Sequence, residues 1–373
     1  MSNDSLSLNS LPHVNVQITP NKGREFIASE NLCAGTTLFH VYPYATAIVD
    51  SFKKRICARC LCVHPTRFFS LHCHGCDQVY YCSQQCYEQD NHYKNILTNT
   101  STITTTTSNN STTPLWICSA LRKLATLKKV DKHEKSVAKL VLLIYWQREK
   151  SMQQDQKELS ETKDQHSNND EESNDIVVLS STYEQVMALE SHYKDWSTDV
   201  KQDWHRIQQF LEKQLEGIYS HKDEVIHLIS KIESNSFGVF LDNNKNKGEP
   251  VARALFPIAS LFNHDCNNNC EAEQMIDHQD ILQQFERKEE KVSNPNNSEE
   301  EIRYYYPDLF SKTRGSFRPM LVRTIRSVKA NDSLTISYID SSLPVSARRQ
   351  ILKQDYYFVC QCDRCINELS LKK

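Results

Sequence analysis

The sequence predicts an α+β protein, with strand-like segments near both ends, a helical excursion between them and a cysteine-rich insert in the first half. Three observations carry this. Val14, Val16 and Ile18 alternate with polar residues near the start, as Leu334, Ile336 and Tyr338 do near the end, and an alternating row is one face of a strand. Residues 134–149 and 182–231 have helical period instead. Six of the 14 cysteines fall together as Cys57-x2-Cys60, Cys73-x2-Cys76 and Cys82-x3-Cys86.

Taken in order, the first strand ends at Pro20-Asn21-Lys22-Gly23, a turn sequence, and the stretch from Leu38 to Val49 is β-rich. Val137 to Trp146 is the most apolar run, but it is too short to span a bilayer and contains Lys139. Trp204, Ile207, Phe210, Leu211, Leu215 and Ile218 recur at spacings of three and four, one apolar face of a long helix. After Pro257 the chain turns strand-like. Residues 98–113 (Thr, Ser, Asn), 150–175 (Gln, Glu, Asp, Lys) and 286–301 (charged, Asn-rich) hold too few apolar side chains to offset the entropy of ordering, and read as solvated insertions.

Three further cysteines close the chain as Cys360-x-Cys362-x2-Cys365, and Cys118 and Cys266 stand apart. Thiolates two or three residues apart supply adjacent corners of a tetrahedral Zn²⁺ site from one tight turn. A disulfide framework is the competing reading. It loses ground because no N-terminal apolar run directs the chain to an oxidising compartment, so an intracellular protein, nuclear or cytoplasmic, is expected. A net charge of −3 offers no basic field for direct nucleic-acid binding.

Four motifs narrow the reading: Lys22-Gly23-Arg24; Asn263-His264-Asp265-Cys266; Leu334-Thr-Ile-Ser-Tyr338-Ile-Asp340; and Tyr356-Tyr357-Phe358-Val-Cys360-Gln-Cys362. In this order and spacing they resemble the SET-domain lysine methyltransferases, and the cysteine-rich insert resembles a MYND zinc finger. The chain is therefore similar to the SET and MYND domain family. The resemblance implies a SET β-clip fold split by a MYND finger and a helical insert, closed by a zinc-binding post-SET segment. The implied parts are residues 1–56 (N-terminal SET), 57–118 (finger, with the insertion 98–113), 119–234 (helical insert), 235–340 (core SET, with an insertion about 280–302) and 341–373 (post-SET).

The same resemblance implies roles. S-adenosylmethionine would be held by Lys22, Gly23, Arg24, Glu190, His192, Asn235, Ser260, Asn263, His264, Tyr338, Tyr356 and Phe358. Tyr338 would be catalytic, and Phe237 and Tyr356 would line the channel for the substrate lysine, whose amine must be desolvated and held in line with the methyl group. The chain departs from the family at Asn21 and Glu25, where glycines are usual, and at Asn331-Asp332-Ser333, usually Gly-Glu-Glu. Three zincs are implied. Cys57, Cys60, Cys82 and Cys86 would bind one; Cys73, Cys76 and His92 would supply three ligands of the second; Cys266, Cys360, Cys362 and Cys365 would bind the third.

For the second site the pattern expects a cysteine where Ile96 stands. Either the site is degenerate or the ligand is displaced to Cys118 by the Thr/Asn tract, with His72 and His74 as alternatives. Lengthening that loop costs roughly 2 kcal/mol by the logarithmic closure relation. That is small beside the order of 10 kcal/mol a structural zinc contributes, so Cys118 is favoured. Cys33, Cys62 and Cys270 remain, with burial as small hydrophobes the default. A monomeric protein-lysine methyltransferase acting on a protein with an exposed lysine is the leading expectation. A catalytically weak adaptor whose finger binds a proline-containing peptide is the alternative.

Overall fold

A computed structural model describes residues 11–20, 22–64, 68–90, 116–161, 178–221, 223–240, 249–274, 288–293, 300–305 and 319–371. The expected positions Asn21, His92 and the tract 98–113 lie outside them. The described residues form a mixed α/β protein. Strands β1 (Val14–Thr19) and β2 (Gly23–Ala28) make a hairpin. Next come β3 (Thr37–Val41) and β4 (Ala45–Ile48), then the short helix α1 (Gln84–Asp90) in the cysteine-rich segment.

Helices α2 (Trp116–Thr126), α3 (Lys132–Glu161), α4 (Tyr183–Met187), α5 (Thr198–Gln214) and α6 (Glu224–Asn235) follow, with the short strand β5 (Val178–Leu179) among them. The chain then returns to strands: β6 (Ser236–Val239), β7 (Ala252–Leu255), β8 (Asn263–His264), β9 (Cys270–Gln274), β10 (Lys288–Ser293), β11 (Glu300–Tyr305), β12 (Met320–Thr324) and β13 (Thr335–Ile336). Helices α7 (Val345–Asp355) and α8 (Asp363–Ser370) close it.

The strands make several small sheets, ordered β5-β3-β12-β9, β4-β7-β6 and three two-stranded pairs. N-terminal strands thus pair with C-terminal ones across the sequence between them: β3 with β12, and β4 with β7. One apolar core, including Phe26, Phe39, Phe256 and Phe262, lies within these sheets. A second, including Leu140, Val141, Tyr145, Ile207 and Ile229, lies among the helices.

Three expectations change in detail. The apolar row from Trp204 to Ile218 is not one helix: α5 stops at Gln214, and Gly217, at φ 80, turns the chain before Ile218. The polar segment beginning at 150 is helical as far as Glu161, because Gln, Lys and Glu are good helix formers. Within the third polar segment β10 and β11 pair antiparallel, in a register that sets Glu290 opposite Arg303. Lack of a core does not forbid local pairing.

Candidate functional site

Three sulfur clusters organise the site. Cys57, Cys60, Cys82 and Cys86 bring their sulfurs within 4.8 Å of one another, as do Cys73, Cys76 and Cys118, and as do Cys266, Cys360, Cys362 and Cys365. Measured separations are 3.5 Å for Cys60–Cys82, 3.6 Å for Cys82–Cys86, 3.5 Å for Cys73–Cys118, and 3.9 and 3.5 Å from Cys266 to Cys360 and Cys365. Tetrahedral Zn–S bonds of about 2.3 Å set sulfurs about 3.8 Å apart, whereas a disulfide holds them at about 2 Å. The donor sets therefore fit a thiophilic metal and not a disulfide framework. All 14 cysteines are free of disulfides.

Local structure explains the clustering. Ser83 Oγ accepts the Cys86 amide at 3.2 Å, starting α1 with that cysteine in its first turn. Cys362 is the N-cap of α8, so Cys362 and Cys365 sit at the electropositive end of that helix, which favours thiolates. Cys118 lies on the buried face of α2 beside Ile117 and Leu121. His72 is turned elsewhere: its Nδ1 is 2.8 Å from the Ser70 carbonyl and its ring stacks on Tyr80. His74 is exposed. Among the described residues the second cluster thus holds three sulfurs, one of them from Cys118. Of the leftover cysteines only Cys270 is buried. Cys33 and Cys62 are exposed, contrary to expectation, because each lies in irregular chain outside the sheets.

Of the residues the resemblance assigns to cofactor and channel, His264, Tyr338, Tyr356 and Phe358 lie beside the third cluster, and others are tied to one another elsewhere. Gly23 closes the β1–β2 turn at φ 71, and a Cβ there would meet nothing within 4 Å, which leaves the backbone open to a ligand. Asn263 Nδ2 donates to the Lys22 carbonyl at 3.3 Å, tying that turn to the Asn263–His264 strand. Arg24 reaches the Ala188 carbonyl at 2.6 Å. Asn235 Nδ2 donates to the carbonyls of Glu190, at 3.3 Å, and Lys231, while Ser260 Oγ donates to those of Asn235, at 3.3 Å, and Phe256. These side chains hold the segment 188–190 against α6 and the 260–264 loop. His192 stacks on Tyr357 with ring centroids 4.8 Å apart.

Glu25 is buried beneath the turn. The Thr19 hydroxyl donates to one carboxylate oxygen, and the other lies 4.0 Å from Lys22 Nζ. Its carboxylate is therefore directed at Lys22, the cation expected to meet a cofactor carboxylate. Asn331 adopts φ 68 where the family pattern has glycine, a conformation asparagine tolerates.

Tyr338 stands at the centre. Its hydroxyl donates to the Phe262 carbonyl at 2.8 Å, its amide donates to His264 Nδ1 at 3.0 Å, and its ring lies 4.9 Å from that of Tyr356. Burial pushes the Tyr338 phenol well above its usual pKa, so it stays protonated at neutral pH. Burial lowers the His264 pKa to about 4. The other His264 nitrogen, Nε2, lies 3.3 Å from Cys266 Sγ. Both ring nitrogens of His264 are engaged within the protein. The ring of Phe358 is 6.1 Å from that of His264, and Phe237 packs edge-on against Phe256 at 5.7 Å.

A cleft of about 1270 Å³ is lined in part by Trp196, Trp204, Glu233, Arg253, Tyr356 and Tyr357. On its wall Arg253 contacts His133 Nδ1 and His133 Nε2 contacts Glu233, each at 2.9 Å. Sequence reasoning did not find this wall, nor Arg348. Arg348 is 1% exposed and sits 3.6 Å from Cys365 Sγ and 2.9 Å from Glu368. Val345, Arg348 and Leu352 share the buried face of α7, a three-then-four spacing that was the available signal.

The split sheets, the aromatic pair beside the Asn263–His264 strand and three cysteine clusters that could each hold a metal ion define a mixed α/β protein. No family model matches the sequence. A SET and MYND domain-containing protein of Dictyostelium discoideum is 22% identical over 92% of this chain and 79% of its own length. A second such protein of the same organism is 21% identical over 96% of this chain and 60% of its own length. The histone-lysine N-methyltransferase Smyd1 of Mus musculus is 21% identical over 96% of this chain, which spans 57% of that protein. The curated proteins it is similar to are thus SET and MYND domain proteins and SMYD methyltransferases, the family its motifs resemble. A solved SET domain of LSMT, bound to lysine and AdoHcy, aligns over 96% of this chain at 12% identity and a TM-score of 0.33, too slight a likeness to carry an argument.

Proposed function

We propose that the chain is an S-adenosylmethionine-dependent protein-lysine N-methyltransferase, with a SET core split by a two-zinc MYND finger and closed by a one-zinc post-SET clasp. One observation carries this reading: Tyr338 and Tyr356 form a half-buried aromatic pair, and the Tyr338 hydroxyl and amide are pinned to the 262–264 segment. Bound along Gly23 and Asn263, the cofactor supplies an electrophilic sulfonium methyl group.

The chain's own residues do the rest. Lys22 and Arg24 provide cations near the turn, and Asn263 fixes the turn's carbonyl. The Tyr338 and Tyr356 rings desolvate a lysine amine, which favours its neutral, nucleophilic form. The Tyr338 hydroxyl, spent as a donor on Phe262, presents its lone pairs to orient that amine or the polarised methyl group. Because burial keeps this phenol protonated, it does not serve as the base. Cys57, Cys60, Cys82 and Cys86 hold one zinc, Cys73, Cys76 and Cys118 with a fourth ligand such as His92 hold another, and Cys266, Cys360, Cys362 and Cys365 the third. The substrate is a protein with an exposed lysine, and the enzyme acts as an intracellular monomer. No described helix is long and apolar enough to cross a membrane.

The test is calorimetric titration of the zinc-loaded protein with S-adenosylmethionine, followed by labelled methyl transfer to lysine-bearing proteins. Absence of cofactor binding sinks the reading. A specific observation favours the adaptor alternative: the Glu25 carboxylate competes for Lys22. On that reading the cofactor does not bind, and a proline-containing peptide titrates the finger alone.

A further inference from the structure

Three hydrogen bonds close a circuit between the cysteine clasp and Tyr338. A backbone N–H can only donate, and that of Tyr338 reaches His264 Nδ1 at 3.0 Å. Nδ1 is therefore an acceptor, which places the proton of the neutral ring on Nε2. Nε2 lies 3.3 Å from Cys266 Sγ and so donates to that sulfur. The Tyr338 hydroxyl returns to the same segment, donating to the Phe262 carbonyl at 2.8 Å. The backbone beneath is fixed as well: Asn263–His264 pairs in parallel with Thr335–Ile336, and Asp265 N donates to the Ile336 carbonyl at 3.1 Å.

We propose that His264 is a positioning residue that couples the metal clasp to Tyr338. The inference rests on the zinc and Tyr338 roles proposed above. Four thiolates on one divalent cation carry a net double negative charge, and each donor to sulfur offsets part of it. His264 supplies such a donor to Cys266, as Arg348 does to Cys365. A metal-bound Cys266 holds the imidazole in one tautomer and one orientation, and the imidazole holds the Tyr338 backbone. Loss of the clasp metal frees the ring and, with it, the tyrosine that lines the channel.

Two substitutions separate the halves of the circuit. His264→Asn places an amide oxygen near the Nδ1 position, keeping an acceptor for Tyr338 but leaving no donor for sulfur. His264→Gln places an amide nitrogen near Nε2 and keeps that donor. Zinc release from the full-length, zinc-loaded protein to a colorimetric chelator, without cofactor, is the primary readout. One zinc should leave His264→Asn at least about ten-fold faster than wild type, the scale on which metal sites respond to lost outer-shell partners, and His264→Gln should stay within about three-fold. With substrate, His264→Asn should lower kcat while leaving KM for the cofactor unchanged. Equal release from wild type and His264→Asn overturns the coupling. Ring-nitrogen NMR of wild type should find the proton on Nε2, and a proton on Nδ1 overturns the circuit even if no variant folds. A wild type that carries no zinc at the clasp sinks the metal assignment and the coupling together, which separates that failure from a failure of His264 alone.

Discussion

Replacing Tyr338 by Phe removes one oxygen and leaves the ring. The hydroxyl makes one hydrogen bond, 2.8 Å to the Phe262 carbonyl, inside a site where the ring of Tyr356 stands 4.9 Å away. For stability, the cost is one net hydrogen bond, about 1 kcal/mol, plus part of the penalty for an unpaired buried carbonyl, so about 1–2 kcal/mol in all. For methyl transfer, removing a polar group aimed at the reacting atoms costs on the order of 100- to 1000-fold in kcat, as a lost oxyanion-hole donor does. The two magnitudes separate the roles. A tyrosine that merely packs a strand would show the stability loss alone.

The assay is labelled-methyl incorporation at saturating cofactor, beside calorimetric cofactor affinity, which should change less than about three-fold because the ring remains. Activity within about three-fold of wild type, with unchanged affinity, would refute the role given to the hydroxyl. The pH profile adds a check. With the Tyr338 pKa raised above the usual 10, the phenol stays protonated below that pH, so no limb of the rate profile under pH 10 should disappear in the Phe variant.

Three further outcomes are expected. Cys118→Ser should lower bound zinc from three per chain to two, by metal analysis after gel filtration; retention of three with an unchanged melting temperature rules out Cys118 as a ligand. Lys139, 7% exposed within the helical core, is paired with Asp50 and the Ile48 carbonyl. Asp50→Asn should therefore destabilise by about 2–3 kcal/mol in urea, somewhat under the value for a fully buried pair because Asp50 is partly exposed, while Lys139→Met should be near neutral. Equal losses from both would show that the pair itself stabilises. Glu25→Gln keeps an oxygen for Thr19 but frees Lys22, and should tighten cofactor binding about three- to five-fold, matching a partly exposed ion pair of about 1 kcal/mol. Weaker binding in that variant would mean that Glu25 holds Lys22 in place for the cofactor.

Local pattern revealed what local pattern can encode. The alternation of Val14, Val16 and Ile18 is β1, and the paired cysteine spacings assemble as two four-sulfur clusters and one of three. The grouping of Cys118 with Cys73 and Cys76 was legible because a low-complexity tract in the sequence interrupts a spacing without destroying it. The break in the row from Trp204 to Ile218 was missed because apolar spacing persists through a turn; Gly217, with its positive φ, marks the stop. Arg348 was missed because an arginine in a Ser-Ala-Arg-Arg-Gln run looks solvated until the sulfurs it faces, from residues 266 and 365, are brought to it by the fold. The His264 contacts are of the same kind: a ring between two residues 72 apart in sequence is set by tertiary structure alone.

Cys73, Cys76 and Cys118 belong to the same apolar core as Leu140, Tyr145 and Ile229. A metal on those three sulfurs would be a rivet driven through the boundary between the cysteine-rich segment and the helices. It would make the helices hostage to the metal: stripping it would loosen α2 from α3, and the disturbance would be felt as far as the indoles that line the cleft beside Tyr356.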